Sequence, residues 1–481
     1  MLANFLRMMY NNKYMIFERS GILKKRPAHG FVDEYYWDTL DNAAKLVPAV
    51  SDTRGSNVFR VSAVLCEEVD PKLLSDALDK TLSVFPAFSV RLRRGLFWYY
   101  LDANRETPRI REENDYPCAP ISSRDRGFLF RVTYYKKRIN LEMYHALSDG
   151  MGAAQFLHVL VCFYFSLMDG DTLSEEYIRG YCDKVARDFD EDSFGRIVGA
   201  APEKKDQPSG AAKKEKEPDA FQFGGYGYDG AKLGVVTLLM RADKILDAAH
   251  GLSCTMSEYL ASLLIWSIYN TSYRRGMGHG KPIVISLPVN LRGMFDSTTM
   301  RNFFGHINIS VLPKPGDRLP EIVSAVKSSF SACLDRGYFE KQIAGNVAIE
   351  RITPIRFVPV WIKDLVMRFL FSRAEKNYTI TMSNLGRLTL PEAIADRVER
   401  MEMLLGGSRT HPKKVSLCSY GNTLAISFSS TTGDNSLERF FAKEITSQGI
   451  GVTLVSNETP PPEKIRKRKK GKNCDTAKTA E

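Results

Sequence analysis

Along Leu141–Tyr144, apolar Leu141 and Met143 alternate with Glu142, the two-residue period of a strand. From Ala153 to Met168 the period lengthens. Phe156, Leu157, Leu160, Val161, Tyr164 and Phe165 give a wide apolar face, as on a helix packed against a sheet. Between the two lies the polar turn His145-Ala146-Leu147-Ser148-Asp149-Gly150, with a further glycine at 152. His145 therefore sits where a strand stops, a place that faces a cleft and suits an imidazole moving protons near neutral pH. Asp149 is on the same turn and can fold back toward the strand end. Gly150 is expected to allow a backbone angle that a side chain forbids. The same residues also fit a plain loop with an N-capping aspartate and a hydrogen-bonded histidine.

Similar patterns place elements on both sides of this turn. Val58–Leu65 reads as a strand, and Asp70-Pro71 as the cap and first position of a helix striped by Leu73, Leu74, Ala77, Leu78 and Leu82. Hairpins are expected around Arg94-Gly95 and Lys136-Lys137. His158, on the helix after Gly152, reads as a packed or surface histidine. Near residue 203 the composition turns charged and rich in Pro, Gly, Ser and Ala, then rich in Gly and Tyr, as in a linker. Beyond it come strands at 234–240, 283–287, 307–312 and 378–382, and helices at 242–250, 257–273 and 321–335. A hairpin around Gly421-Asn422, a helix at 437–448 and a strand at 451–455 follow. The expected division is a first lobe over 31–202, a linker over 203–230, a second lobe over 231–458 and a disordered basic tail over 459–481.

A chain of 481 residues exceeds one ordinary core, which supports that division. Part of the net charge of +11 lies in Lys464–Lys472, so the body is only mildly basic, as suits an anionic, nucleotide-bearing ligand or solubility alone. The tail lacks interleaved aromatics, and no nucleic-acid partner is expected. The eight cysteines show neither C-x-x-C nor zinc-finger spacing, so they read as buried thiols in a reducing compartment, with no metal site. Neither a signal-peptide pattern nor a run of about eighteen uninterrupted apolar residues is present, and the expectation is a cytoplasmic protein without a transmembrane segment.

Several pieces together resemble the acyltransferase superfamily that groups chloramphenicol acetyltransferase, alcohol acyltransferases and peptide condensation domains. H-A-L-S-D-G at 145–150 matches its H-x-x-x-D-G signature between a strand and a helix. F-R-V-S-A-V-L, L-L-S-D-A-L and F-P-A-F-S-V-R-L are similar to the opening strand, helix and hairpin of those lobes. P-V-N-L-R-G followed by N-F-F-G-H resembles the Arg-bearing segment of the second lobe, and T-M-S-N-L-G at 381–386 a late strand end near the channel. The order agrees over roughly residues 55 to 455. The look is nearest to alcohol acetyltransferase-like proteins.

This resemblance implies an α/β, two-lobe chloramphenicol acetyltransferase-like fold. Each lobe is a mixed sheet with packed helices, and the active-site channel runs between the lobes. It implies transfer of an acetyl or longer acyl group from acyl-CoA, a cosubstrate rather than a bound cofactor, directly to a small hydroxyl acceptor. His145 would be the general base. Asp149 would be structural, paired with an arginine for which Arg292 is the choice. Gly150 would leave room for the thioester, and Ser383 or Asn384 could donate to the oxyanion. Condensation of carrier-protein thioesters and non-catalytic binding remain alternatives. One further segment stands out: Trp361, Ile362, Leu365, Val366, Phe369 and Leu370 share a helical face, either packed on the second lobe or forming an apolar wall or a membrane-facing patch, with peripheral membrane contact, that admits a lipid-like alcohol.

Overall fold

The computed structural model describes residues 37–170, 173–185, 190–200, 219–224, 232–277, 280–333, 335–351 and 357–457. The tail and most of the linker expected from the sequence lie outside these residues. The first half runs β1 (Trp37–Thr39), α1 (Val47–Val50), β2 (Val58–Leu65), α2 (Pro71–Val84), β3 (Val90–Arg94), β4 (Tyr99–Ala103), β5 (Arg111–Glu112), β6 (Phe130–Tyr135), β7 (Arg138–Tyr144), α3 (Gly150–Asp169), α4 (Glu175–Val185) and α5 (Ser193–Ala200). The second runs β8 (Gly234–Arg241), α6 (Ala242–Gly251), α7 (Met256–Ile268), β9 (Ile283–Asn290), α8 (Arg292–Phe295), β10 (Phe304–Val311), α9 (Leu319–Cys333), α10 (Arg336–Arg351), α11 (Val360–Ala374), β11 (Ile380–Leu388), α12 (Glu392–Ala395), β12 (Val398–Leu405), β13 (Lys413–Tyr420), β14 (Thr423–Ser430), α13 (Ser436–Ser447) and β15 (Thr453–Ser456).

Local chemistry sets the element ends. Asp70 Oδ1 accepts from the backbone N–H groups of Lys72 and Leu73, and Pro71 fills the first helical position of α2, where its missing N–H costs nothing. Thr255 and Glu258 form a reciprocal capping box at the start of α7. That helix ends at Ile268 and continues as a π-helical stretch over Tyr269–Met277, so the helix expected over 257–273 changes winding partway. The S-N-L-G segment, expected at a strand end, lies inside β11, whose pairing with β13 slips by a bulge between Asn384 and Arg387.

The strands form a small sheet β1-β4-β3, a five-stranded sheet β12-β2-β7-β6-β5 and a seven-stranded sheet β10-β9-β11-β13-β14-β8-β15. Two large apolar clusters accompany the two main sheets. The first centres on α3, a helix long and apolar enough to cross a membrane, whose side chains from Ala153 to Phe165 are mostly buried inside the protein. One strand of the second half, β12, pairs antiparallel with β2 and so completes the first-half sheet.

Alternation along β13 shows how the halves meet. Val415 and Leu417 point into the second cluster. Ser416 and Cys418 point the other way, donating to the carbonyls of Met403 (2.6 Å) and Met401 (3.2 Å) on β12. This second face of the large sheet lies along the seam.

Candidate active site

The His145 turn is built by strand pairing that runs out. The β2–β7 ladder ends at Val58 opposite Tyr144, and the next N–H, that of His145, donates to Asn57 O at 2.9 Å. The imidazole is half-buried between Phe59, 4.7 Å between ring centroids, and Phe304, at 6.0 Å.

Asn302, from the loop before β10, locks this ring. Its Nδ2 donates to Asp41 Oδ2 at 3.0 Å and to His145 O at 2.9 Å. Those two acceptors orient the amide, so its Oδ1, 3.2 Å from His145 Nδ1, must accept. Nδ1 therefore carries the proton. Nε2 is left as a bare lone pair with no protein partner among the described residues. Burial lowers the His145 pKa, against the Asn302 bond and the Asp149 charge that raise it, while the Lys414 charge lowers it further. The ring is neutral at neutral pH, as a base must be. Behind the amide, burial pushes Asp41 up to about 6, although Asn302, the Ala44 N–H and Arg301 favour its charged form.

Asp149 does not face the imidazole lone pair. It caps α3 through Gly152 N, and its two oxygens accept from Arg292 Nη2 and Phe303 N, each at 2.9 Å. Arg292 spends the rest of its guanidinium on Thr299 O, Arg301 O and Asn290 Oδ1, at 2.7, 2.7 and 3.1 Å. Both side chains are nearly buried, 6 % and 11 % exposed, so the pair joins the turn to the second half in a low-dielectric setting. Ser148 Oγ adds a bond to Met300 O.

The glycines act by closeness rather than by unusual backbone angles. Gly150 sits in the first turn of α3 and is not left-handed, which corrects the conformational reading of this residue. A Cβ there would come within 2.9 Å of Leu385 Cδ2 and 3.2 Å of Met403 Cε. What crowds Gly150 is protein from β11 and β12. At Gly152 a Cβ would lie 2.1 Å from Ser148 Oγ and 2.2 Å from the backbone oxygen of Met300, so no side chain fits.

Across the seam, Ser383 belongs to the β11 face that also carries Leu385, the neighbour of Gly150. It is nearly buried, and its hydroxyl makes no side-chain bond to the described residues. Asn384 alternates to the other face and is committed to Ser257 Oγ and Gly386 N. Of the two candidate donors, only Ser383 remains uncommitted. His306 projects from β10, its ring 5.2 Å from that of Phe304. It is open to solvent on one side, yet the protein around it, with the nearby His145, pushes it down to about 4. Lys414 points to the seam like Ser416. It is half-buried with no hydrogen bond or ion pair to the described residues, and burial lowers its pKa, partly offset by Glu375.

His145, Asp149, Gly150 and Arg292 thus come together, with Ser383 on the strand beside them. Asn302, Asp41, His306 and Lys414 were not singled out from the sequence. Asn302 opens the N-F-F-G-H run, a local signal in the sequence, whereas Asp41 is 261 residues from its amide partner and has none. Among the described residues no cluster of His, Cys, Asp and Glu could hold a metal ion.

No family model matches the chain, and no curated protein matches it. Solved structures do. The first condensation domain of the calcium-dependent antibiotic synthetase, in complex with a substrate analogue, matches with a TM-score of 0.55 at 15% identity, over 86% of this chain and 96% of that one. The starter condensation domain of rhizomide synthetase, in complex with C8-CoA, gives 0.55 at 10% identity over 86% and 94%. TRI3 trichothecene 15-O-acetyltransferase from Fusarium sporotrichioides gives 0.52 at 9% identity over 85% and 94%. The chain has the two-lobe fold of the chloramphenicol acetyltransferase and condensation-domain group.

Proposed function

We propose that this protein is an acyltransferase that moves an acyl group from a thioester, with acyl-CoA as cosubstrate, to a hydroxyl acceptor by direct transfer. The observation that carries the reading is the Asp41–Asn302–His145 chain, which fixes Nδ1–H and leaves Nε2 free at a half-buried site. Nε2 takes the acceptor's hydroxyl proton as the oxygen attacks the thioester carbonyl. The tetrahedral adduct collapses, its C–S bond breaks, and the imidazolium returns the proton to the departing thiolate. No side chain becomes acylated. Ser383 is the donor assigned to the oxyanion, and Lys414 lends positive charge from the same face. Asp149 and Arg292 hold the turn that aims the ring and touch no reacting atom.

Fold kinship to a structure holding C8-CoA and to an O-acetyltransferase supports the choice of donor and acceptor. The test is thiol release from a panel of acyl-CoA esters with alcohols and amines, using the full chain and His145→Ala. Release that needs an acceptor and vanishes in His145→Ala is expected. Turnover of carrier-protein thioesters alone would move the assignment to condensation, and turnover undiminished in His145→Ala would remove the general base.

A further inference from the structure

Helix α11 is turned inside out. Its one acid, Asp364, is buried and bonded by Tyr99 OH at 2.8 Å, with Arg94 at 3.5 Å. Its large apolar residues face solvent instead: Trp361, Leu365 and Phe369 are 60 %, 66 % and 72 % exposed, and Val366 and Leu370 are exposed beside them. The expectation that this face packs on the second lobe does not hold. The apolar surface continues onto the β3–β4 hairpin, where Leu96 and Trp98 are exposed. Val360 N–H donates to Leu96 O at 2.8 Å and Lys363 Nζ to Phe97 O at 2.8 Å, so helix and hairpin tip form one surface. A surface of this size and continuity differs from the scattered apolar residues of an ordinary exterior.

The charges around it are sorted by sign. Between residues 357 and 376 the exposed charged side chains are Arg368, Arg373 and Lys376, whereas Asp364 and Glu375 are buried. On the hairpin, exposed Arg93 shares Asp102 with Arg91, and exposed Arg94 reaches Asp364, so the hairpin carries three arginines against Asp102 and the acid already buried in α11. An apolar face that carries two tryptophans, with an excess of cations beside it, matches a bilayer whose headgroups are anionic.

We propose that α11 and the β3–β4 tip form a membrane-docking face, with Trp361, Leu365 and Phe369 entering the headgroup–acyl boundary of an anionic leaflet. This goes beyond the acyl-transfer reading and does not depend on it. The face lies on the flank of the His145 turn: Arg368 Nε donates to Ala49 O in α1 at 2.6 Å, and Ser51, at the end of α1, meets Tyr144 OH at 3.0 Å.

The test uses the full chain with phosphatidylcholine vesicles, with and without phosphatidylserine, and with acyl-chain-brominated phosphatidylcholine. Of the four tryptophans, Trp98 and Trp361 lie on the face, so bromine quenching that weakens in Trp361→Phe and disappears in the double change Trp98→Phe and Trp361→Phe is expected. The double change Leu365→Ser and Phe369→Ser should lower vesicle partitioning at least about tenfold, since each side chain leaves an apolar phase. It should leave the melting temperature unchanged, because both side chains are already exposed. Partitioning should need phosphatidylserine and weaken with salt. Vesicle binding without quenching, undiminished in the double variant, would place the contact in the basic tail and overturn the proposal. A wild-type dimer that the double variant converts to monomer, without vesicle binding, would overturn it in favour of a second copy of this chain.

Discussion

Replacing Asn302 with alanine removes the group that orders three others. His145 Nδ1 loses its acceptor, His145 O its side-chain donor, and Asp41 Oδ2 its 3.0 Å bond from Nδ2. Without the amide, the imidazole can rotate or hold its proton on Nε2, where it cannot accept one. The loss is bounded by what a positioned base supplies, so kcat should fall by about 10²–10⁴. A structural cost comes with it: Asp41 keeps the Ala44 N–H at 2.7 Å but loses its side-chain donor, which at a buried carboxylate is worth about 1–3 kcal/mol. The pH profile separates this account from simple damage. The Asn302 bond raises the His145 pKa, so the variant's residual activity should show its acid limb at lower pH than wild type. The same amide lowers the pKa of Asp41, which burial nonetheless raises from 3.8 to about 6. A raised carboxylate means the folded state binds more protons, so stability falls as pH rises through that window. In Asn302→Ala the window should extend upward. Stopped assays of thiol release and thermal melts across pH measure both effects. A turnover within about tenfold of wild type, short of a general base's worth, would show that the amide does not govern the ring.

Lys414→Met should move the acid limb the opposite way, to higher pH, because the lysine charge lowers the His145 pKa; an unmoved limb in pH–rate profiles would place Lys414 outside the site. Asp149→Asn and Arg292→Met should each lower stability by about 3–5 kcal/mol by stranding a buried partner, and in denaturant titrations the double change should cost less than their sum. Gly152→Ala should destabilise by at least about 1–3 kcal/mol and lower activity with it, since the backbone oxygen of Met300 cannot yield; a calorimetric melt like wild type would refute the contact. Burial holds His158 down to about 4, so its contribution to stability is present above pH 6.5 and lost as pH falls toward 4; His158→Gln should flatten that part of the melting-temperature profile.

Much of this was legible where neighbours in sequence are neighbours in space. The strand-end histidine, the capped helix after Asp70 and the Gly421-Asn422 hairpin depend on local periods and caps, and each appears in place. The Asp149–Arg292 meeting came through the resemblance, since no local rule joins residues 143 apart. What stayed hidden was long-range. Asp41 lies in a short segment with no strong period, and Lys414 is set on the seam only by the parity of β13, which a sequence without register does not reveal. The face of α11 was visible as a stripe, but its direction was not: a stripe says which residues share a side, and only the buried bond of Asp364 to Tyr99 says which side turns inward.

The position of β12 bears on how a ribosome can make this protein. All eight residues of β2 are buried in the finished molecule, with β7 on one edge and β12 on the other. During synthesis β7 follows soon after β2, whereas β12 is made only after most of the second half. For that interval β2 is an outer strand with one apolar face and open hydrogen-bonding groups, the kind that recruits other chains. The first half therefore cannot finish folding as it emerges, unlike domains that close in order from the N-terminus. Truncation anywhere before residue 398 should leave a sticky edge rather than a free-standing lobe, and expression of either half alone should call on chaperones that the whole chain outgrows once β12 docks.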